Sequence, residues 1–288
     1  MSADANVLVL DLDGTLLNSD GVVSDANRSA VHRAHDAGWE IIIATGRSWT
    51  EARAVLVSIG LARFMIAAGG SLLCDRESGS TIDRRSVCRT VVSDVADVLI
   101  DDGHRILILK DRHATGYDYL TIGDAPLDPA SAWWFETHQV EVRHVDHLDD
   151  DAHPEHSLRV GAVASGSAFG SIATTLRDVL RDRAVLQHWG AVTESEATGS
   201  PTHLLEVFDT DVNKWTMVER FCARFGYDPG RVAAVGDGLN DRELIAGAAR
   251  SFAMDNADQV VRSTAQHVVA HHDCDGVAEA IELLLTTA

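Results

Sequence analysis

Apolar runs of four or five residues, each followed by a helix-length segment, recur at both ends of this chain. Residues 7–10, 40–44 and 64–67 read as strands, with helices expected over 25–37 and 49–58. The pattern resumes with a strand-like run at 204–208, a helix at 213–225, a strand at 232–235 and a helix at 241–248. Residues 251–254, 259–263, 267–269 and 277–285 continue it as strand, helix, strand and helix. Strands that alternate with helices imply βαβ units, so the expected fold is α/β, a Rossmann-like, doubly wound parallel sheet with helices on both faces.

The middle of the chain breaks this rhythm. It offers a helix (87–100), strands at 105–109 and 117–121, the pair Trp133-Trp134, an apolar strand at 158–164, a helix at 168–182 and a strand at 185–187. This is α+β material with hydrophobic segments of its own, which reads as an inserted domain. The expected organisation is a core over 1–82, an insertion over 83–197 and a return to the core over 198–288.

Composition narrows the function. With 45% hydrophobic residues the chain can build a real core, and no apolar run approaches the ~18 residues of a membrane span. No N-terminal stretch reads as a signal peptide, so a cytoplasmic protein is expected. The four cysteines are scattered, without a C-x-x-C pair, and read as reduced thiols. A net charge of −20 argues against nucleic acid and anionic membranes as partners. A small anionic substrate remains open if its site brings positive charge. Only two of the 24 basic residues are lysines, Lys110 and Lys214, so a lysine in a chemically apt place carries weight. Lys110 reads as a surface residue of the insertion. There is no Walker A loop and no G-x-G-x-x-G after a strand, so nucleotide cofactors are not expected.

Four segments follow apolar runs of the outer pattern. Asp11-Leu12-Asp13-Gly14-Thr15 ends the first, and carboxylates two apart near a strand end lean the same way. They fit either a catalytic pair or an Asp/Gly turn. Thr45-Gly46-Arg47 fits either a phosphate cradle or a helix cap. Arg47 reads equally as a substrate contact or as a salt-bridged arginine. Lys214 opens the helix after 204–208. Gly236-Asp237-Gly238-Leu239-Asn240-Asp241 suits a hard-cation site with oxygen ligands, or else an acidic turn. His271-His272-Asp273-Cys274-Asp275 looks like a transition-metal tract but reads in context as a loop before the last helix.

The ordered set D-x-D-G-T, T-G-R, K and G-D-x-x-N-D resembles the haloacid dehalogenase superfamily of aspartyl-phosphate phosphotransferases. The insertion resembles that superfamily's C2-type cap. Phe252-Ala253-Met254-Asp255-Asn256-Ala257 and Asp275-Gly276-Val277-Ala278 are similar to the C-terminal signature of its Cof-like, class IIB branch of sugar-phosphate and related phosphatases. The likeness spans residues 6–288. Two departures stand out: Ala68-Gly69-Gly70-Ser71 where the branch commonly has Asn-Gly, and Trp215 where a glycine usually follows the lysine.

The resemblance implies roles. Asp11 is the nucleophile that forms an aspartyl-phosphate, and Asp13 the general acid/base, kept protonated by neighbouring carboxylates. Mg²⁺ is held by the Asp11 carboxylate, the Asp13 main-chain carbonyl and Asp237. Thr45, the Leu12 and Gly46 amides and Lys214 hold the phosphoryl oxygens. Asn240 bonds phosphate or substrate, and Asp241 orients Lys214 or metal-bound water. The implied activity is hydrolysis of a small-metabolite phosphomonoester. A phosphomutase using the same aspartyl-phosphate is the alternative, and a non-catalytic phosphate-binding protein the third reading.

Overall fold

The computed structural model describes residues 5–165, 169–190 and 202–286. The chain divides into two compact units, Met1–Asp83 with Asn213–Ala288, and Arg84–Val212. Strands are numbered in chain order through both. In the first unit β1 (Val7–Leu10), β2 (Glu40–Ala44), β3 (Phe64–Ala67), β4 (Leu72–Asp75) and β5 (Thr81–Arg84) join β12 (Val232–Gly236), β13 (Arg250–Met254) and β14 (His267–Val269). Their order across the sheet is β14-β13-β12-β1-β2-β3-β4-β5.

All of β1 and β12 is buried, as helix cover on both faces requires. Strand β1 runs parallel to both neighbours, with Val7 opposite Val232 on one side and Glu40 on the other. The chain winds outward from β1 through β2 and β3, then returns to wind the other way through β12, β13 and β14. The carboxyl ends of β1 and β12 therefore flank the point where the winding reverses, which is where ligand crevices form in such sheets. Towards the β5 edge, the β3–β4 pair is antiparallel, a hairpin that the pattern of apolar runs did not announce.

The second unit is a sheet of β6 (Ile106–Lys110), β7 (Tyr119–Ile122), β8 (Val142–Val145), β9 (Ser157–Ser165), β10 (Ala184–Gly190) and β11 (Thr202–Asp209). Its order is β10-β11-β9-β6-β7-β8, antiparallel except between β7 and β8. The helices Arg89–Asp101 and Phe169–Leu180 bury Val95, Leu99, Ile172 and Leu176 with Ile108 and Val160 in its core. The tryptophan pair lies on the helix Pro129–Thr137, half-buried; its buried neighbour is Phe135, 4.8 Å from Tyr119.

Two expectations are corrected. The run 204–208, assigned to the first core by its apolar pattern, is part of β11 and pairs antiparallel with β9 and β10. Local pattern marks a strand but not its partner, so the return to the first unit falls at Asn213. The expected 197/198 boundary lies outside the described residues. Lys110, expected at the surface, is buried: its Nζ donates to Asp151 Oδ2 at 2.6 Å, Ser157 Oγ at 2.9 Å and His153 O at 3.1 Å. Three acceptors for three N–H donors make an ammonium tolerable out of water. No helix among the described residues is long and apolar enough to cross a membrane.

Lys110→Met should strand Asp151 without its counter-charge and destabilise the second unit by about 3–5 kcal/mol. Lys110→Met/Asp151→Leu should recover most of that loss, as read by denaturant unfolding of both variants beside the parent.

Candidate active site

The site is built from loops that approach more closely than side chains would allow. The Asp11 N–H donates to Val235 O at 3.1 Å, carrying the β1–β12 ladder one step beyond β1. The chain then makes a wide five-residue turn, Leu12–Leu16, with Gly14 at φ 74°. A Cβ on Gly14 would lie 2.3 Å from Asp237 Oδ2, so only glycine admits this contact. Across that gap Thr15 Oγ1 donates to Asp237 Oδ1 at 2.7 Å. After β12, Asp241 folds back and its Oδ2 accepts the Asp237 and Gly238 N–H groups, both at 3.1 Å.

Lys214 reaches the site differently from the other segments. It is the first residue of the helix Lys214–Phe225, capped by Asn213, whose Oδ1 accepts the Thr216 N–H at 2.9 Å. The preceding strand belongs to the other sheet, so the helix start is set by packing. Gly70, at φ 111°, sits so close beneath it that a Cβ would lie 2.2 Å from Asn213 O. The Gly-Gly departure thus serves this approach. The Trp215 departure is matched by Gly247, where a Cβ would lie 2.2 Å from the indole ring.

Lys214 Nζ is fully buried and donates to Asp11 Oδ1 and Asp241 Oδ1, each at 2.6 Å. Asp11, Asp237 and Asp241 present carboxylate oxygens all within 4.8 Å of one another. Three carboxylates against one ammonium leave a deficit of positive charge in a place with little water. Burial raises the Asp11 carboxyl well above its ordinary range, reinforced by Asp241 and only partly relieved by Lys214. Burial and Asp241 push Asp237 up to about 7, despite the Thr15 hydrogen bond. Burial opposes the charge on Lys214, but Asp11 and Asp241 outweigh it and hold the amine above its usual range. An all-oxygen donor set short of positive charge fits a hard divalent cation. Asp241 spends its oxygens on Lys214 and two backbone N–H groups, which leaves Asp11 and Asp237 as the carboxylates suited to a cation.

Asp13 has a different neighbour from the one expected. Arg47 Nε donates to its Oδ2 at 2.8 Å and Arg47 Nη2 to its Oδ1 at 2.5 Å. The like-charge crowding falls on Asp11 and Asp237 instead. The sequence left Arg47 open between a substrate contact and a salt bridge, and in the structure it pairs with Asp13. Thr45 is also clarified. Ser48, three residues on, caps the helix Trp49–Ile59 through a reciprocal pair with Glu51, so the helix-cap reading of Thr45 falls away. Thr45 Oγ1 accepts the Arg47 N–H at 3.1 Å, while a Cβ on Gly46 would lie 3.7 Å from Asn240 Nδ2. Leu12, in the turn beside them, is buried. All nine residues singled out from the motifs therefore lie in the first unit, on loops at the carboxyl ends of β1, β2 and β12 or at the start of the lysine helix.

The His271–Asp275 tract forms a clasp. His272 Nδ1 lies 2.8 Å from Leu17 O, Asp273 accepts the Ser19 N–H at 2.7 Å and its hydroxyl at 2.8 Å, and Asp275 accepts the Ser24 hydroxyl at 2.5 Å. Asn256 joins this clasp to the site: its Nδ2 donates to Gly14 O at 2.8 Å and its Oδ1 accepts the His272 N–H at 3.0 Å. Asn256 lies within the 252–257 signature, whose resemblance implies no role for it.

A doubly wound sheet with a lysine-bridged carboxylate cluster at its switch point defines an α/β enzyme that handles anionic substrates. The chain belongs to the haloacid dehalogenase-like hydrolases, whose family model matches residues 8–281. Hydrolases of this family are generally metal-dependent. The chain is 28% identical over 283 residues to the 5-amino-6-(5-phospho-D-ribitylamino)uracil phosphatase YcsE of Bacillus subtilis, covering 96% of this chain and 95% of that protein. Its fold matches a haloacid dehalogenase-like hydrolase from Bacteroides thetaiotaomicron at a TM-score of 0.77 and 24% identity, over 98% and 100% of the two chains. It equally matches a subclass IIB sugar phosphatase of the superfamily, at a TM-score of 0.77 and 18% identity over 97% and 99%.

Because native Asp237 binds its proton more tightly than in the unfolded chain, the folded state loses stability as pH rises from about 4 towards about 7. In chelator, the melting temperature should fall across that window. Asp237→Asn should flatten the fall; an unchanged slope in Asp237→Asn would refute the assignment.

Proposed function

We propose that this protein is a Mg²⁺-dependent phosphatase that hydrolyses the phosphomonoester of a small, sugar-like metabolite through an aspartyl-phosphate on Asp11. The observation that carries the reading is the buried Asp11 carboxylate held by Lys214 beside Asp237, in a cluster short of positive charge. The Lys214 contact fixes the Asp11 side chain in one orientation, as in-line attack on phosphorus requires. The attack forms an Asp11 O–P bond as the ester O–P bond breaks, so one hard displacement becomes two easier ones. Mg²⁺, held by the Asp11 carboxylate, the Asp13 carbonyl and Asp237, supplies charge neutralisation for the phosphoryl oxygens when bound.

Asp13 carries the proton. It gives one to the leaving alcohol and then takes one from the water that attacks the aspartyl-phosphate. Arg47, donating to both oxygens of the Asp13 carboxylate, positions this proton carrier. Thr45, Gly46, Leu12 and Asn240 stand where phosphoryl oxygens would be received, with Lys214 supplying charge. Asp241 keeps Lys214 aimed. A sugar-like leaving group is supported by the ribityl phosphate named in the Bacillus relative. The free thiols, two of them buried, suit a cytoplasmic setting.

A screen of metabolite phosphates with Mg²⁺ or chelator, beside Asp11→Asn, tests this. Inorganic phosphate should appear only with Mg²⁺, and Asp11→Asn should lower kcat by at least about 10³-fold. Turnover that survives either change sinks the mechanism. An isomeric sugar phosphate without phosphate release would indicate the mutase, and silence across the panel a binding protein.

Asp13→Asn keeps the main-chain carbonyl but removes the proton carrier. It should lower kcat by about 10²–10⁴-fold while the Mg²⁺ concentration for half-activation stays within about two-fold.

A further inference from the structure

The Asn256 side chain touches three separate loops of the first unit. Its Nδ2 donates to Gly14 O at 2.8 Å and stands 3.5 Å from Asp237 Oδ2. Its Oδ1 accepts the His272 N–H at 3.0 Å. It therefore spans the loop after β1, the loop after β12 and the clasp before the last helix. The amide uses its donor and acceptor ends on opposite sides, and its acceptor is satisfied by a backbone N–H. That fixes which way round the amide sits and keeps the NH₂ end towards Gly14 and Asp237.

Resting on the function proposed above, we propose that Asn256 is a positioning residue for the metal. It sets the spacing between the Asp237 carboxylate and the Gly14 peptide next to the Asp13 carbonyl. Asp237 Oδ1 is held by Thr15, and Asn256 approaches Oδ2 on its other side, so the carboxylate is oriented from both ends. Its main chain is held as well, through the N–H bonded to Asp241 Oδ2 at 3.1 Å and the carbonyl bonded by the Asp258 N–H at 3.0 Å. The approach of the β1 loop to it is set by two hydrogen bonds, the one from Thr15 and the one from Asn256 to Gly14 O. Gly14 leaves no Cβ to fix that distance by contact. Hydrogen bonds take the place of packing.

Hydrogen-bonded supports of a ligating carboxylate are worth about 10- to 100-fold in metal affinity. Asn256→Leu keeps the size and removes every hydrogen bond; Asn256→Ser shortens the reach but keeps a hydroxyl. Both should raise the Mg²⁺ concentration for half-maximal thermal stabilisation, measured without substrate, by about ten-fold or more. The half-activating Mg²⁺ concentration should rise in parallel, while kcat at saturating Mg²⁺ and the KM for the ester stay within about three-fold of the parent. Folding is checked in chelator, where Asn256→Ser should melt cooperatively.

A Mg²⁺ titration unchanged from the parent in both variants overturns the inference. A kcat loss that saturating Mg²⁺ does not restore overturns it as well, since that would place Asn256 in the chemistry. A parent protein that itself shows no Mg²⁺-dependent stabilisation would instead defeat the function on which this inference rests.

Discussion

A fully buried ammonium, Lys214 Nζ, lies between Asp11 and Asp241, and the organisation of the site follows from it. Removing two carboxylates and a lysine from water is costly unless the geometry is good, and here both contacts are 2.6 Å. The third carboxylate, Asp237, has no lysine of its own. With Asp11 and Asp237 both pushed upward by burial, the cluster is relieved either by protons or by a divalent cation. The protein thus holds its nucleophile candidate in an environment whose electrostatic need matches what a divalent cation would bring.

Two carboxylates only two residues apart live in opposite surroundings. Asp11 lies beside a lysine and two other carboxylates, whereas Asp13 is clasped at both oxygens by Arg47. Environments that differ this much can set different roles for one residue type. The wide turn between β1 and the following loop makes the separation possible, and Gly14 makes the turn possible. Gly70 does the same for Lys214, by admitting the lysine helix to a distance at which any side chain would collide. Close approach at these two glycines converts separate strand ends into one site.

Much of the site was legible because phosphoryl-transfer chemistry restricts residue types and their order. Asp11, Asp13, Thr45, Lys214 and the 236–241 loop stand out against an arginine-rich, nearly lysine-free background. The pairing of residues was not legible. The Ser48-x-x-Glu51 spacing does single out Ser48 over Thr45 as the helix cap, but nothing local marks Arg47 as the partner of Asp13. Lys110 looked like a surface lysine because burial of a cation depends on acceptors 41 and 47 residues away. Asn256 sat inside a quoted signature, yet its role needs three loops that meet only after folding.

The sequence by itself determined the alternation of buried strands and helices, the presence of an insertion and the chemical inventory of the site. Those properties reside in short windows, where apolar periodicity and residue type are sufficient. Tertiary structure decided which sheet received the strand Thr202–Asp209, which residue neutralised which, and how near the loops could come. These depend on partners tens to hundreds of residues apart, and a pattern within a few residues carries no record of them. The fate of the Asp11 and Asp13 pair shows the division plainly. Its two members were visible in five residues, but the charges that tell them apart came from 34 and 203 residues away.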